Sequence, residues 1–176
     1  TSIGEYAFAY CSSLESIEIP YGVTSIGEAA FYECTNLKSI TIPDSVTSIG
    51  ETAFYGCTSI ETATMPALAI SYIPQNNLKT VVITSGESIE NSAFYYCESL
   101  RSVVIGDGVT SIGDSAFYLC RSLESVVIPT SVISIGDYAF YTCTSLESVT
   151  IPEGVKFIGD NAFTACAGIK SVVIPT

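Results

Sequence analysis

Apolar and polar positions follow one order along this chain, L-x-x-I-x-I-P-x-x-V-T-S-I-G-[ED]-x-A-F-x-x-C-x-x, with a period of 23 residues. Leu14 and Leu37 mark the register early, and Leu100, Leu123 and Leu146 mark it late. The unit 14–36 shows what one copy predicts. Ile17 and Ile19 alternate with Ser16 and Glu18, the period of a strand with one face inward. Pro20 has no N–H for a ladder and ends that strand. Tyr21-Gly22 turns the chain, and Val23-Thr24-Ser25-Ile26 is a second short β-rich stretch. Gly27 permits a sharp bend, and Glu28 is placed to cap a short helical turn. In that turn Ala30, Phe31 and Cys34 share one face through i,i+3 and i,i+4 spacing. Tyr32 lies at its flank, and Glu33 points out.

One such unit cannot fold alone. About eight of its positions point inward on this pattern. Ordering each residue costs roughly 1–2 kcal/mol, and a handful of buried side chains at roughly 1.5–3 kcal/mol each does not offset that. Stacked units bury both sides of each side-chain layer and satisfy one another's backbone, so the period predicts a solenoid. We expect a single solenoid domain over 1–176 with units 14–36, 37–59, 60–77, 78–99, 100–122, 123–145 and 146–168. Partial units occupy 1–13 and 169–176, so the sequence reads as an excerpt of a longer chain.

Charge narrows the partners. Six basic residues stand against eighteen acidic ones, a net charge of −12. Nucleic acid and anionic membrane surfaces are disfavoured, because no basic patch exists to meet phosphate. The longest apolar run, Tyr6 to Cys11, is far short of the roughly 20 residues a membrane span needs.

The string I-P-x-x-V-T-S-I-G-x-x-A-F-x-x-C stands nearly intact at Ile19–Cys34, Ile42–Cys57 and Ile128–Cys143. It is altered at Ile105–Cys120, where Gly106 replaces Pro, and at Ile151–Cys166, where Lys156-Phe157 replaces Thr-Ser. In these residues the chain resembles the BspA-type leucine-rich repeat family over essentially its whole length. The resemblance implies a right-handed leucine-rich-repeat-like coil. Parallel β-strands (L-x-x-I-x-I) form one face, and each repeat adds a second short strand (T-S-I) and a short helical turn (x-x-A-F-x-x-C). It also implies an elongated, gently curved array in large surface proteins of host-associated microbes, with adhesion to extracellular-matrix proteins or other microbes. It transfers no ligand residues, since the shared motif is mostly core.

Stacking converts each repeat position into a column with a spacing of about 4.8 Å. The cysteine column is Cys11, Cys34, Cys57, Cys97, Cys120, Cys143 and Cys166. It has no C-x-x-C pair and no histidine beside it, and reads as a ladder of buried free thiols; a chain of disulfides or a metal site are the alternatives. The acidic column is Glu5, Glu28, Glu51, Asp114, Asp137 and Asp160, with Asn91 in line. It reads as a set of caps, with a Ca²⁺ stripe as the alternative.

The outward columns carry the candidate contacts. Tyr32, Tyr55, Tyr95, Tyr118 and Tyr141 each follow the core Phe. They either shield the neighbouring Phe or form an aromatic contact stripe. On the strand face, charges at Glu15, Lys38, Glu61, Lys79, Arg101, Glu124, Glu147 and Lys170 largely alternate in sign, which predicts cross-strand ion pairs. Four residues after the repeat's leucine position come Glu18, Thr41, Thr64, Val82, Val104, Val127, Thr150 and Val173, a flat β-branched surface. Either β propensity alone or partner contact accounts for it. The register breaks at 60–77, where Ala67 to Asn77 replace the second half of the motif. Loss of the Phe there should thin the coil; either a kink follows that exposes Tyr72, Gln75 and Asn76 as a ligand site, or the degenerate repeat is simply tolerated drift.

No pattern points to catalysis: there is no histidine, no P-loop and no G-x-S-x-G. We expect no cofactor or metal. The expected function is a non-enzymatic protein-binding or adhesion module at a cell surface, with a structural spacer carrying another domain as the alternative. An intracellular scaffold is a weaker option. Candidate partner-binding residues are Tyr32, Tyr55, Tyr95, Tyr118, Tyr141, Thr41, Thr64, Val82, Val104, Val127, Thr150 and Tyr72.

Overall fold

The computed structural model describes residues 1–174; Pro175 and Thr176, which close the partial unit 169–176, lie outside the described residues. Its contacts gather into two compact units, Thr1–Leu78 and Lys79–Thr176. In each, short strands stack in parallel at the repeat period. In the first unit, Ser16–Glu18 pairs with Ser39–Thr41, and that strand with Thr62–Met65, with Ile17 opposite Ile40 and Ile40 opposite Ala63. The second strands, Ser2–Ile3, Ser25–Ile26 and Ser48–Ile49, pair in the same way. In the second unit Thr80–Ile83, Ser102–Ile105 and Ser125–Val127 form one ladder, and Ser148–Thr150 pairs with Ser171–Val173. The second strands there are Ser88–Ile89, Ser111–Ile112, Ser134–Ile135 and Phe157–Ile158.

The layers close on apolar columns. Leu37, Leu78, Leu100, Leu123 and Leu146 are fully buried, as are Val46, Val109 and Val132. The phenylalanines form near-parallel stacks. Ring centroids are 5.2 Å apart from Phe8 to Phe31 and from Phe31 to Phe54. In the second unit the steps from Phe94 through Phe117 and Phe140 to Phe163 are 5.2, 5.0 and 5.0 Å. That spacing is close to the separation of paired strands, so one ring per coil fills the layer.

The segment expected as a short helical turn takes another form. It is a run of linked turns whose N–H groups alternate in direction. Ala116, Tyr118 and Cys120 donate back three residues, to Gly113, Ser115 and Phe117. Ser115, Phe117 and Leu119 donate instead to Asp137, Ala139 and Tyr141 of the next coil, at 2.7–2.9 Å. Left-handed backbone at Ser115 (φ 55°) and Leu119 (φ 60°) aims these donors out of the coil. A helix would have spent every N–H inside itself; the alternation leaves every second one for stacking.

Two further expectations change. Gly27 and Gly136 are not bend residues, and neither has a left-handed φ. They allow close approach: a Cβ on Gly136 would lie 2.6 Å from the Asp114 backbone nitrogen, and one on Gly27 2.6 Å from that of Glu5. The acidic column does not cap helices either. Asn91 Oδ1 accepts the Asp114 N–H at 2.8 Å, Asp114 Oδ1 that of Asp137 at 2.9 Å, and Asp137 Oδ1 that of Asp160 at 2.7 Å. These are rungs between coils. The expected ion pairs do form on the strand face, Glu15–Lys38 at 3.1 Å, Arg101–Glu124 at 3.0 Å and Glu147–Lys170 at 3.1 Å.

Two stability measurements check this account. Phe117→Ala removes a ring stacked on both sides and should cost about 3–5 kcal/mol in a urea titration. Asp137→Asn should be neutral, since Asn91 already shows that an amide oxygen can accept the rung, whereas Asp137→Ala should cost about 1 kcal/mol. Equal losses for the two Asp137 variants would contradict the rung.

Candidate protein-binding surface

The tyrosine column is ordered and half open. In the first unit Tyr32 and Tyr55 stack at 5.2 Å with 16° between ring planes, and Tyr10 meets Tyr32 edge-on at 5.6 Å. In the second, Tyr95 stacks on Tyr118 and Tyr118 on Tyr141, each at 4.9 Å. Tyr55 keeps 59% of its surface exposed and Tyr95 46%; Tyr32, Tyr118 and Tyr141 are half-buried. Desolvation by the packed rings, helped by neighbouring tyrosines, raises the Tyr32 and Tyr118 phenols above their ordinary value. They stay neutral at physiological pH.

Sequence reasoning missed the width of this stripe. Tyr96 lies tilted beside Tyr95 and Tyr118, with centroids 4.8 and 6.1 Å away, and Tyr138 meets Tyr141 edge-on at 5.7 Å. Both stand at left-handed positions, Tyr138 (φ 56°) and Tyr96 (φ 62°), where the backbone swings the side chain outward. The available signal was the aromatic in the variable slots flanking A-F, in D-Y-A-F and F-Y-Y-C.

On the strand face, Thr41 sits opposite Thr64, Val82 opposite Val104, Val104 opposite Val127, and Thr150 opposite Val173. Val104, Val127 and Thr150 are exposed; Thr41, Thr64 and Val82 are half-buried. In each unit these positions form a β-branched ladder along the paired strands.

A concavity lies at the broken register. Ala67–Tyr72 form a 3₁₀ turn after Pro66, with Ala69 and Ile70 buried. Gln75 is held back by donating Nε2–H to the Ile70 carbonyl at 3.3 Å, and Asn77 donates to Thr58 at 2.8 Å. Tyr72 and Gln75 are half-buried and Asn76 is exposed. Here a cleft of about 530 Å³ opens within the first unit, between Tyr55 and Glu51 of one coil and Ser71, Tyr72 and Pro74 of the next. Glu33, Thr35, Phe54, Gly56, Thr58 and Ile73 complete it. The structure therefore joins Tyr55 and Tyr72, two residues singled out separately, and adds Glu33 and Glu51, which sequence reasoning did not assign to contact.

Comparison with known proteins fits this geometry. A model of the BspA type leucine rich repeat region, in six copies, matches residues 1–81 and 74–176. The chain belongs to that family. A leucine-rich repeat protein from Bacteroides ovatus is 31% identical with a TM-score of 0.71, over 97% of this chain and 51% of that one. A leucine rich cell surface protein from Faecalibacterium prausnitzii is 36% identical with a TM-score of 0.53, over 98% of this chain and 42% of that one. A leucine rich repeat protein from T. pallidum is 25% identical with a TM-score of 0.52, over 99% and 63%. The chain thus spans about half the length of the first two. No match is found among curated proteins. The family and these relatives are repeat proteins. No helix among the described residues is long and apolar enough to cross a membrane.

The BspA-type cysteine column is part of the stack rather than of a reactive surface. Five of the thiols donate to the carbonyl of the phenylalanine one coil back: Cys34 to Phe8 at 3.2 Å, Cys57 to Phe31 at 3.0 Å, Cys120 to Phe94 at 3.1 Å, Cys143 to Phe117 at 3.2 Å and Cys166 to Phe140 at 3.0 Å. Burial pushes the Cys57 thiol from 9.0 up to about 12. Cys120 and Cys143 move the same way, through hydrogen bonding to Cys97 and Cys166 and then through burial. The protonated thiol is thus favoured in the folded state. Its stabilisation is complete below pH 9.0, the unfolded value, and is lost as pH rises towards about 12. The melting temperature should hold below about pH 9 and fall above it, with a shallower fall in Cys57→Ala. A thiol reagent should label exposed Cys11 in the native protein and reach Cys57, Cys120 and Cys143 only on unfolding.

Proposed function

We propose that this chain is a non-enzymatic protein-binding module of a cell-surface or secreted protein, engaging partners through the tyrosine stripe and the adjoining outward columns. The observation that carries the reading is the stacked, half-open tyrosine column. Tyr32 and Tyr55 in one unit, and Tyr95, Tyr118 and Tyr141 in the other, present rings already held in place by their neighbours. Such rings offer large contact area with little entropy left to lose on binding. The outward strand positions, Thr41 and Thr64 in the first unit and Val82, Val104, Val127 and Thr150 in the second, add a β-branched surface to each, of the kind solenoids use for docking. Surface location is supported by the F. prausnitzii relative, a cell surface protein. Extracellular-matrix proteins or microbial surface proteins are the partner class we assign.

The test is a binding panel. The purified chain, immobilised, should bind a host matrix protein such as fibronectin or fibrinogen saturably. Tyr55→Ser and Tyr95→Ser, each with an unchanged melting temperature, should weaken that binding by about tenfold, or about 1.4 kcal/mol. Absence of binding across the panel, together with function that tracks repeat number and ignores surface substitutions, would favour the spacer instead.

A further inference from the structure

The cleft at residues 33–74 has a chemistry more specific than the stripe that leads to it. Two departures from the repeat create it. The first is Gly56, which stands in a column otherwise filled by Tyr10, Glu33, Tyr96, Leu119, Thr142 and Ala165, all with left-handed backbone. With no side chain at 56, the Glu33 carboxylate lies against the bare backbone: a Cβ there would fall 2.6 Å from Glu33 Cδ. The second is the 3₁₀ turn Ala67–Tyr72, which replaces the A-F-x-x-C half and brings Ser71 and Tyr72 to the cleft.

Charge selects the occupant. Glu33 and Glu51 line the cleft, and no lining residue is basic. Residues 1–78 hold eight acidic residues and one basic residue, Lys38, which is tied to Glu15 on the strand face at 3.1 Å. This unit therefore brings no cation of its own to the two carboxylates. Beside them stands the largely exposed ring of Tyr55, with Tyr72 as a second aromatic. Carboxylates next to an open aromatic face suit a planar guanidinium, which pairs bidentately and stacks, better than a compact ammonium. A shallower hollow of about 370 Å³, bounded by Tyr10, Ser12 and Tyr32 and sharing Glu33 and Thr35, gives flanking residues of a chain somewhere to lie.

We propose that this cleft takes an arginine side chain of a partner protein, its guanidinium paired with Glu33 and Glu51 and laid on the Tyr55 ring. The inference rests on the reading of the chain as a protein-binding module and names the partner chemistry for one part of it.

A two-dimensional NMR titration of the full chain with acetyl-Gly-Gly-Arg-Gly-Gly-amide tests it. Saturable shifts should concentrate at Tyr55, Gly56, Ser71, Tyr72 and Ile73. The same peptide with neutral citrulline in place of arginine should bind at least about tenfold more weakly, and the lysine peptide should fall between. Glu33→Gln and Glu51→Gln should each weaken the arginine peptide by about two- to fivefold. Gly56→Tyr should abolish binding, because tyrosine already occupies the equivalent slot at Tyr10 and Tyr96 and there would fill the cleft. Shifts spread evenly over the acidic columns, or equal binding of arginine and citrulline peptides, would overturn the proposal. So would a neutral oligosaccharide that moves these resonances when the arginine peptide does not. The peptide readout is independent of the matrix-protein panel. Panel binding retained without arginine binding removes this inference alone, and arginine binding without panel binding leaves it standing while removing the broader assignment.

Discussion

Where one A-F-x-x-C coil follows another, every second backbone donor in that segment has its partner in the next coil. Phe31 and Glu33 donate to Ala53 and Tyr55, and Phe117 and Leu119 to Ala139 and Tyr141. The rest of the structure depends on this constraint. A backbone N–H shut away from water without an acceptor costs about 1–3 kcal/mol, so an isolated coil carries that cost several times over. Satisfying the donors sets the separation of coils to that of paired strands. At that separation glycine is required at 27 and 136, where any Cβ would meet the backbone of the coil before.

Fixed spacing then puts like on like. For phenylalanine and tyrosine this is favourable, and near-parallel rings run through each unit. For cysteine it would leave thiols buried and unpaired, and the offset to the carbonyl of the preceding phenylalanine removes that difficulty. For charge it is unfavourable, and two devices answer it. On the strand face the sign largely alternates, so Glu15 meets Lys38 and Arg101 meets Glu124. In the acidic column, where the sign does not alternate, Asp114 and Asp137 each accept a backbone N–H from the next coil, so the carboxylate faces a peptide dipole. Exposed pairs are worth little singly; their role here is to make the stacking of charged columns tolerable.

The sequence made the period, the strands, the register and the core readable, because each depends on alternation and spacing that repetition displays several times over. Leu37, Phe54 and Cys143 are buried as their columns require. The form of the A-F-x-x-C segment was less legible. Spacings of three and four suit both a helix and linked i→i−3 turns, and only the left-handed residues separate them. Those residues, Ser115, Leu119 and Tyr138 among them, are not the glycines that normally betray such backbone. The candidate site was half legible. Tyr55 and Tyr72 stood out, one as a column member and the other inside the break. Glu33 and Glu51 did not, since outward carboxylates in a solenoid ordinarily mean solvation; what distinguishes them is the empty place at Gly56, a single residue in a variable column.

Regularity and recognition pull against each other in such a fold. A column that repeats one side chain at one spacing builds a stripe or a ladder, and both are flat. Flat surfaces gain contact area without the convergence of different groups that selects one partner chemistry over another. Convergence needs a coil that departs from its neighbours, and departure costs stacking. The break at 60–77 illustrates the exchange. It gives up the Phe of its layer, so the ring of Phe54 stacks on Phe31 but has no successor within its unit, and it recovers apolar burial with Ile70 and Ile73. In return a carboxylate, an aromatic ring and hydroxyls from successive coils come to line one hollow. The most informative place to look for specificity in a repeat protein of this kind is therefore the coil that fits the pattern least but still buries its apolar residues.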